Sequence, residues 1–465
     1  MNSFHGFLAS ARAELPGATL VRWASVFFTL SVLSFLISLA ASQAFLALAA
    51  LIYAAHLLGD RPEIHFPPVQ LPLVLFCLGT ILSVLWAANT TVGWFAVRKL
   101  VLFVILVLGA NLIVRARHLE FLFRSLFLES ALAGLVAIAQ FIVQYRMVRA
   151  LHPDRIYSSM TSDRITGFMG HWMNFGGQQM LVFAALLAFL ILAPKIRNSE
   201  AGARDLHPQP RVQRLLGWLA LAVVAASIVL NFTRGVWLGC FVATFYLVGR
   251  WKPRWLLVIP LLLVIGYFVA PSMVRHRIEV LRHPSQDPAL SIRFEMWQVA
   301  LRMIRQHPWL GVGPNNIEQE YALYLPPGKS PEPGYHAHFH NNFFQFGAER
   351  GLPVLAAWVW FMAALGLHTV LIRRRLNRLR WVADAALAGW LALLVEGCFE
   401  FNFGTSPVLM LFLFVAATPF VAERIESSSP LQLAVESQEA KGETIDLIVP
   451  LQEFSRVLRQ CESHP

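Results

Sequence analysis

Charged residues are scarce in this chain of 465 residues, of which Asp, Glu, Lys and Arg make up only 14%. A soluble protein of this size needs more polar surface to cover its core, so a soluble globular class is excluded. The four cysteines are scattered, which excludes a disulfide-built secreted domain. Hydrophobic residues make up 57%, which excludes intrinsic disorder. The composition therefore predicts a polytopic membrane protein.

Nucleotide and cofactor motifs are also missing. The sequence contains no GxxxxGK[ST] loop, no dinucleotide-binding fingerprint and no HExxH pattern. The net charge of +11 would suggest nucleic acid as the partner of a soluble protein, whereas in a membrane protein it reflects basic loops on the cytoplasmic side. We therefore expect no cofactor and no nucleic-acid partner, and we expect membrane lipids around the chain.

Long apolar runs are what the sequence has instead. A helix needs about 20 mostly apolar residues to cross a bilayer. The runs predict an all-α polytopic membrane protein with about 12 transmembrane helices. The predicted helices are Leu20–Ala41, Gln43–Leu58, Leu71–Ala88, Trp94–Val114, Leu119–Val143, Met173–Leu192, Leu215–Leu230, Val236–Val248, Trp255–Ala270, Leu352–Ile372, Trp381–Cys398 and Pro407–Val421.

The distribution of basic residues predicts the orientation. With twelve helices, the arginine- and lysine-rich connections fall on one side, which the positive-inside rule makes cytoplasmic, and both termini fall there too. The predicted organisation is helices 1–9 in residues 1–270, a long outer loop in 271–351, helices 10–12 in 352–423 and a cytoplasmic tail in 424–465. The loop is partly helical, because Ser291–Gln306 has the apolar spacing of an amphipathic helix. The predicted apolar face consists of Ile292, Met296, Trp297, Ala300, Leu301 and Ile304.

Several arginines lie on the outer side, where the positive-inside rule does not require them. Arg234 sits in a short break between predicted helices seven and eight, which places its guanidinium at the depth of a lipid phosphate. Arginine binds phosphate oxygens through two parallel hydrogen bonds, which favours an anion site. The alternative is an arginine that merely reaches ordinary headgroups. Arg164, Arg293 and Arg350 lie on the same side.

A histidine-rich segment leads from the long loop into predicted helix ten. His336, His338 and His340 alternate, so an extended chain places them on one face. Such a face permits a zinc site, but no cysteine is nearby and we expect no metal. A general base needs only one neutral imidazole beside a hydroxyl group. A histidine-rich interfacial loop without chemistry is the third alternative.

Two further polar patches occur on the outer side. Glu349 and Arg350 are either functional or an ion pair at the end of a helix. Gly397, Glu400 and Asn402 form a polar patch between predicted helices eleven and twelve, where Glu396 and Glu400 face either a cavity or the interface.

Four segments together resemble the O-antigen ligase and polymerase superfamily of bacterial enzymes that act on polyprenyl-linked glycans. Each motif is short, but their order and their common side are typical of that superfamily. They are His340-Asn341 with Glu349 and Gly351 and with His338 two residues before, the Thr233-Arg234-Gly235 turn, Arg293 with Trp297, and the Pro308–Gly313 turn.

The resemblance implies an inner-membrane glycosyltransferase with a periplasmic active site. In the O-antigen ligase branch, such an enzyme transfers a glycan from undecaprenyl diphosphate to a sugar hydroxyl of lipid A–core. We expect the following site residues: catalytic His338, His340 and Glu349; diphosphate-binding Arg164, Arg234, Arg293 and Arg350; and Asn341, His171 and Asn174 for the acceptor or for support.

Elementary chemistry agrees with this expectation. The donor diphosphate leaves with growing negative charge, which outer arginines stabilise, and a histidine deprotonates the acceptor hydroxyl. The diphosphate is already an activated leaving group, so no nucleotide or metal is needed, and direct displacement inverts the anomeric carbon. The alternatives are an O-antigen polymerase, a protein or exopolysaccharide ligase of the same superfamily, or a transporter or flippase of lipid-linked glycan.

Overall fold

The computed structural model describes residues 19–193, 211–279, 288–331 and 337–439. His336 and the tail beyond residue 439 lie outside these ranges. Within them the chain is helical and contains no strand, which confirms the predicted all-α class. The helices are α1 Thr19–Val32, α2 Leu39–Asp60, α3 Gln70–Leu85, α4 Thr90–Leu112, α5 Ala116–Leu151, α6 Ile156–Ser162, α7 Trp172–Leu192, α8 Arg211–Leu230, α9 Arg234–Trp251, α10 Pro253–Val269, α11 Ser272–Glu279, α12 Pro288–Gln306, α13 Ile317–Glu320, α14 Asn342–Arg375, α15 Arg380–Glu396 and α16 Ser406–Glu439.

Seven of these helices are long and apolar enough to cross a membrane, and three further apolar helices are shorter. The seven are α2, α4, α5, α7, α8, α14 and α16, and the shorter ones are α1, α3 and α10. The chain is therefore a polytopic membrane protein. Each predicted apolar run overlaps a helix, whereas the total of twelve transmembrane spans stays a prediction.

The first predicted helix, Leu20–Ala41, is wrong as a single element. α1 ends at Val32 and a turn follows, after which Ser38 caps α2 by accepting a hydrogen bond from the Ala41 N–H at 3.3 Å. Phe35 and Leu36 in the turn are buried and apolar. Because apolar residues continue through the turn, hydropathy alone does not mark the break.

α15 lies at the centre of the bundle, where it packs against both α7 and α9. Its buried positions are rich in alanine and glycine, and these small side chains let neighbouring membrane helices approach closely. Gly239 of α9 is one such contact, since a Cβ there would lie 3.0 Å from the Ala392 carbonyl oxygen. This tight packing fixes the end of α15, at Glu396, relative to the start of α9.

The two ends of this bundle differ in chemistry. At one end, Asp384 accepts hydrogen bonds from Tyr246 Oη at 2.8 Å and from Arg373 Nε at 2.5 Å. At the opposite end lie the first residue of α9, Arg234, and the last residue of α15, Glu396. The residues that the sequence places on the outer side thus share one end of the bundle.

α10 differs from the other apolar helices because none of its residues in Ile259–Val269 is buried. Phe268, for example, is 70% exposed. Its first part, Pro253–Val258, packs against α9, and its other end leads into α11, where Val274 packs beside Phe232. Such an apolar surface on every side is what a lipid-facing helix presents.

The amphipathic helix predicted at Ser291–Gln306 is confirmed as part of α12, which packs against α14. Its buried stripe consists of Met296, Val299, Ala300 and Met303, at the i, i+3, i+4 and i+7 spacing of one helical face. Leu301, which the sequence assigned to that face, is 41% exposed. It follows Ala300 by one residue and therefore points about 100° away around the helix axis.

Two glycines join the turn after α12 to a kink in α14. Gly311 and Gly351 have φ angles of +67° and +81°, which side chains other than glycine rarely adopt. The Val312 N–H donates to the Ala348 carbonyl at 2.9 Å, and the Gly313 N–H donates to the Glu349 carbonyl at 2.8 Å. Two segments that carry the family resemblance are therefore in direct backbone contact.

Alanine at Gly351 is expected to destabilise the protein. Its Cβ would lie 2.2 Å from the Trp309 carbonyl oxygen, and the positive φ alone costs roughly 1–2 kcal/mol. We expect Gly351→Ala to lower the thermal unfolding midpoint in detergent clearly. The matched control is Gly266→Ala in α10, where no atom lies within 4 Å of the new Cβ. Equal midpoints for the two variants would contradict the close backbone contact.

Candidate active site

Glu400, in the turn after α15, forms the centre of the site and is 2% exposed. Its Oε1 accepts a hydrogen bond from Arg293 Nη2 at 2.7 Å, and its Oε2 lies 2.7 Å from His340 Nδ1. Because an ionised carboxylate only accepts, Nδ1 of His340 donates, and in the neutral ring Nε2 then carries the lone pair. One carboxylate therefore orients both an imidazole ring and a guanidinium group.

The charged neighbours of Glu400 keep it ionised. Burial by itself raises the pKa of the Glu400 carboxyl, but His340 and Arg293 outweigh burial and hold that pKa below its ordinary value. Glu400 is therefore a carboxylate at neutral pH, and its negative charge is available to stabilise an imidazolium on His340.

His338 lies beside His340, with the two ring centroids 4.3 Å apart. Burial, together with the neighbouring His340, lowers the pKa of His338 to about 4. His338 is therefore neutral at pH 7 and offers one donor and one acceptor nitrogen. The two histidines differ in that only His340 hydrogen-bonds to the carboxylate of Glu400.

Asn341 and Asn342 fasten the histidine segment to the turn after α15. Asn341 Oδ1 accepts from the Phe343 N–H at 2.8 Å and so caps α14, while its Nδ2 donates to the Cys398 carbonyl at 2.8 Å. The Asn342 N–H donates to the Gly397 carbonyl at 2.8 Å. These bonds hold His340 and Glu400 side by side, although they are separated by 60 residues in sequence.

Arg164 joins this site from the segment before α7. Its guanidinium stacks on the Trp172 ring at 3.9 Å, and its Nη1 lies 3.4 Å from Thr233 Oγ1. Burial and neighbouring arginines lower the pKa of Arg164 to about 10, which still leaves it charged. The charged groups that act on it are Arg277, Glu400, Arg293 and Arg234.

Asn231, which the sequence analysis missed, joins the Arg234 turn to the Arg164 segment. Its Nδ2 donates to the Ile165 carbonyl at 3.1 Å and to the Trp172 carbonyl at 3.2 Å, and its Oδ1 accepts from Thr233. The available signal in the sequence was an asparagine directly after an apolar run, and the structure shows its side chain to be buried. Through these bonds Arg164 and Arg234 are held at one place.

Residues 219–359 match the family described as O-antigen ligase. We call this segment the O-antigen ligase domain, after the family that it matches. The match confirms the predicted membership of the O-antigen ligase and polymerase superfamily, and no curated protein matches the chain. The O-antigen ligase domain includes Arg234, Arg293 and both histidines, whereas Arg164 and Glu400 come from outside it.

Two other predicted site residues lie at the start of α7, next to the O-antigen ligase domain. His171 caps this helix, since its Nδ1 accepts from the Met173 N–H at 3.2 Å. Burial lowers the pKa of His171, Glu400 opposes this effect and Arg164 adds to it, which indicates that His171 lies near the site. Asn174 lies half-buried in the first turn of α7.

Glu349 and Arg350 belong to a second cluster of the O-antigen ligase domain. Glu349 Oε1 accepts from the Asn315 N–H and from Gln345 Nε2, both at 2.9 Å. Both charges act on Lys99 of α4. The sequence assigned Glu349 to catalysis with the histidines and Arg350 to the diphosphate, and both assignments stay predictions. The observed contacts connect Glu349 to the turn after α12 instead.

Three side chains of the site have ligand-type atoms within 4.8 Å of one another: His338, His340 and Glu400. This spacing permits a metal ion. However, both Glu400 oxygens already bind Arg293 and His340, and an added cation would face the positive charge of Arg293. The contacts therefore fit an ion-paired network better than a metal centre, and the expected absence of a metal stays a prediction.

Proposed function

We propose that this protein is an inner-membrane glycosyltransferase that transfers an O-antigen glycan from undecaprenyl diphosphate to a sugar hydroxyl of lipid A–core. The observation that carries the proposal is the His340–Glu400 pair beside a group of arginines. Superfamily membership supports a lipid-linked glycan as the donor. The proposed active site faces the periplasm, in agreement with the outer position of these residues under the positive-inside rule.

The arginines are proposed to bind the donor diphosphate. Arg164 is held by Trp172 and Arg293 is held by Glu400, so both guanidinium groups are oriented before the substrate arrives. Arg234 lies next to them at the start of α9, where backbone N–H groups also favour an anion. Preorganised positive charge stabilises the negative charge that develops on a departing diphosphate.

His340 is proposed to activate the acceptor. Its Nε2 takes the proton of the sugar hydroxyl, whose oxygen attacks the anomeric carbon of the glycan. The bond from that carbon to the diphosphate oxygen breaks, and the electron pair leaves with the diphosphate, so the configuration inverts. Glu400 stabilises the imidazolium that forms, as a carboxylate does behind a catalytic histidine. His338, His171, Asn174 and Asn341 are proposed to position the acceptor or support the site.

A reconstituted reaction tests this function. Protein purified in detergent is incubated with undecaprenyl-diphosphate glycan and lipid A–core, with EDTA and without nucleotide. We expect a shifted lipopolysaccharide band on a gel, and no shift with Arg234→Ala. Longer undecaprenyl-linked chains without a shift would indicate a polymerase instead. An unchanged donor and acceptor, with protein shown to be folded, would contradict the proposal.

A further inference from the structure

A pocket lies next to the proposed active site. It is formed mainly by α3, α4, the kinked start of α14 and the segment after α15, and it is a small open cleft with room of about 30 Å³ for the centres of water-sized molecules. Its charged lining residues are Lys99, Glu349 and Arg350. Its walls are mainly phenylalanine rings, from Phe76, Phe103, Phe346, Phe401 and Phe403.

The charges in this pocket do not balance. Two cations, Lys99 and Arg350, face one carboxylate, Glu349, and these three act on one another electrostatically. Glu349 lies 3.7 Å from Arg350 Nη2 and also accepts two hydrogen bonds from uncharged groups. An uncompensated charge in a largely apolar pocket is costly, and such charges in membrane proteins mark ligand sites.

Arg350 is held rigidly with donor capacity to spare. Its guanidinium stacks on Phe346 at 4.6 Å and on Phe76 at 5.4 Å, and its side chain is 9% exposed. Its buried Nε has no hydrogen-bond partner within the described part of the chain. Leaving a buried N–H group without a hydrogen bond costs about 1–3 kcal/mol. An anionic acceptor in the pocket would therefore stabilise the Arg350 side chain.

Lys99 completes the donor set from the opposite wall. Its Nζ donates to the Gly404 carbonyl at 2.7 Å, which uses one of the three N–H bonds of an ammonium group. The Lys99 residue is itself only partly buried.

Phe401 separates this pocket from the histidines. Its ring lines the pocket and lies 6.5 Å from the His338 ring and 5.6 Å from the Phe346 ring. The pocket and the histidines are therefore neighbours, on either side of this ring.

We propose that the pocket of Lys99 and Arg350 binds a phosphate monoester carried by the acceptor glycolipid. This inference rests on the proposed function, because it assigns the second substrate of the same site. A phosphate monoester carries about −1.5 to −2 charges near pH 7, so the single excess positive charge neutralises about half to two thirds of its charge. Its three oxygens match the remaining N–H donors of Lys99 and Arg350, and the phenylalanine rings suit apolar atoms of the same molecule.

The test compares two acceptors and three proteins. The acceptors are lipid A–core before and after phosphatase treatment, and the proteins are wild type, Lys99→Gln and Arg98→Gln. Arg98 is the adjacent exposed cation, which stacks on Phe95 and does not line the pocket. We expect wild type and Arg98→Gln to prefer the phosphorylated acceptor about tenfold in kcat/KM, as for one charge-assisted hydrogen bond. Lys99→Gln should lose this preference while its KM for the donor stays unchanged.

A binding measurement separates this proposal from the transferase proposal. Inorganic phosphate is titrated into detergent-purified protein at constant ionic strength, with chloride as the reference anion, and thermal unfolding is followed. We expect a stabilisation that is smaller in Lys99→Gln than in Arg98→Gln, even where no transfer is detected. An equal preference of Lys99→Gln and wild type for the phosphorylated acceptor would overturn the proposal. So would stabilisation of wild type by anionic phospholipid nanodiscs alone, which would make the ligand a headgroup.

Discussion

Glu400→Gln is expected to lower the rate of glycan transfer by up to about 10,000-fold, as for the loss of a carboxylate behind a catalytic histidine. The carboxylate serves two partners at once, because Oε1 binds Arg293 and Oε2 binds His340. A glutamine has one acceptor oxygen, so its NH2 group would face one of two donors. Either His340 turns its lone pair to the amide and loses the basic Nε2, or the amide repels Arg293.

The measurement is kcat from initial rates, with the amount of folded protein fixed by gel filtration. Glu318→Gln, at an exposed position of the same outer region, is the matched control and should keep the wild-type rate. Removing one partner of a buried ion pair also destabilises a protein by about 3–5 kcal/mol, so Glu400→Asp is included as a charge-preserving variant. A wild-type rate in folded Glu400→Gln would remove Glu400 from the mechanism.

His340→Ala should reduce transfer far more than His338→Ala does. We expect a loss of about 1000-fold for His340→Ala, because general-base catalysis contributes about 100- to 10,000-fold, and roughly tenfold for His338→Ala. The reason is the partner of each ring: Glu400 supports an imidazolium on His340, whereas burial holds His338 neutral with a pKa of about 4. Steady-state kinetics with both variants measure the difference.

The pH profile gives an independent check on this assignment. A fall in kcat/KM as the pH drops from 7 to 5 would come from neither His338 nor Glu400. His338 is already neutral above about pH 5, and the pKa of Glu400 lies below its ordinary value. An acid limb near pH 4, together with a larger effect of His338→Ala, would identify His338 as the base instead. Circular dichroism of both variants confirms that helix content is retained.

The fold was predictable where hydropathy and periodicity carry the information. Every apolar run overlaps a helix, and the amphipathic spacing of residues 291–306 gave α12. The failures have a common cause. The turn between α1 and α2 is as apolar as the helices it joins, and the buried stripe of α12 depends on which side α14 occupies. Neither the break between α1 and α2 nor the buried face of α12 can be predicted from the neighbouring residues in the sequence alone.

The site was predictable by residue type but not by pairing. Unexpected positive charge on the outer side and alternating histidines singled out Arg234, Arg293, His338 and His340. Glu400 was only one member of a polar patch, although two glutamates four residues apart in an apolar stretch were a usable signal. Its role depends on contacts with residues 60 and 107 positions away, which a single sequence does not specify.

The exposed surface of α10 has a consequence for tolerance to mutation. Because no side chain in Ile259–Val269 is buried, exchanging one apolar residue for another changes contacts with acyl chains and leaves no cavity in the protein. The helix is fixed by its two ends, through the Pro253–Val258 turn and through α11. We therefore expect α10 to tolerate exchanges that keep its hydrophobicity and its length.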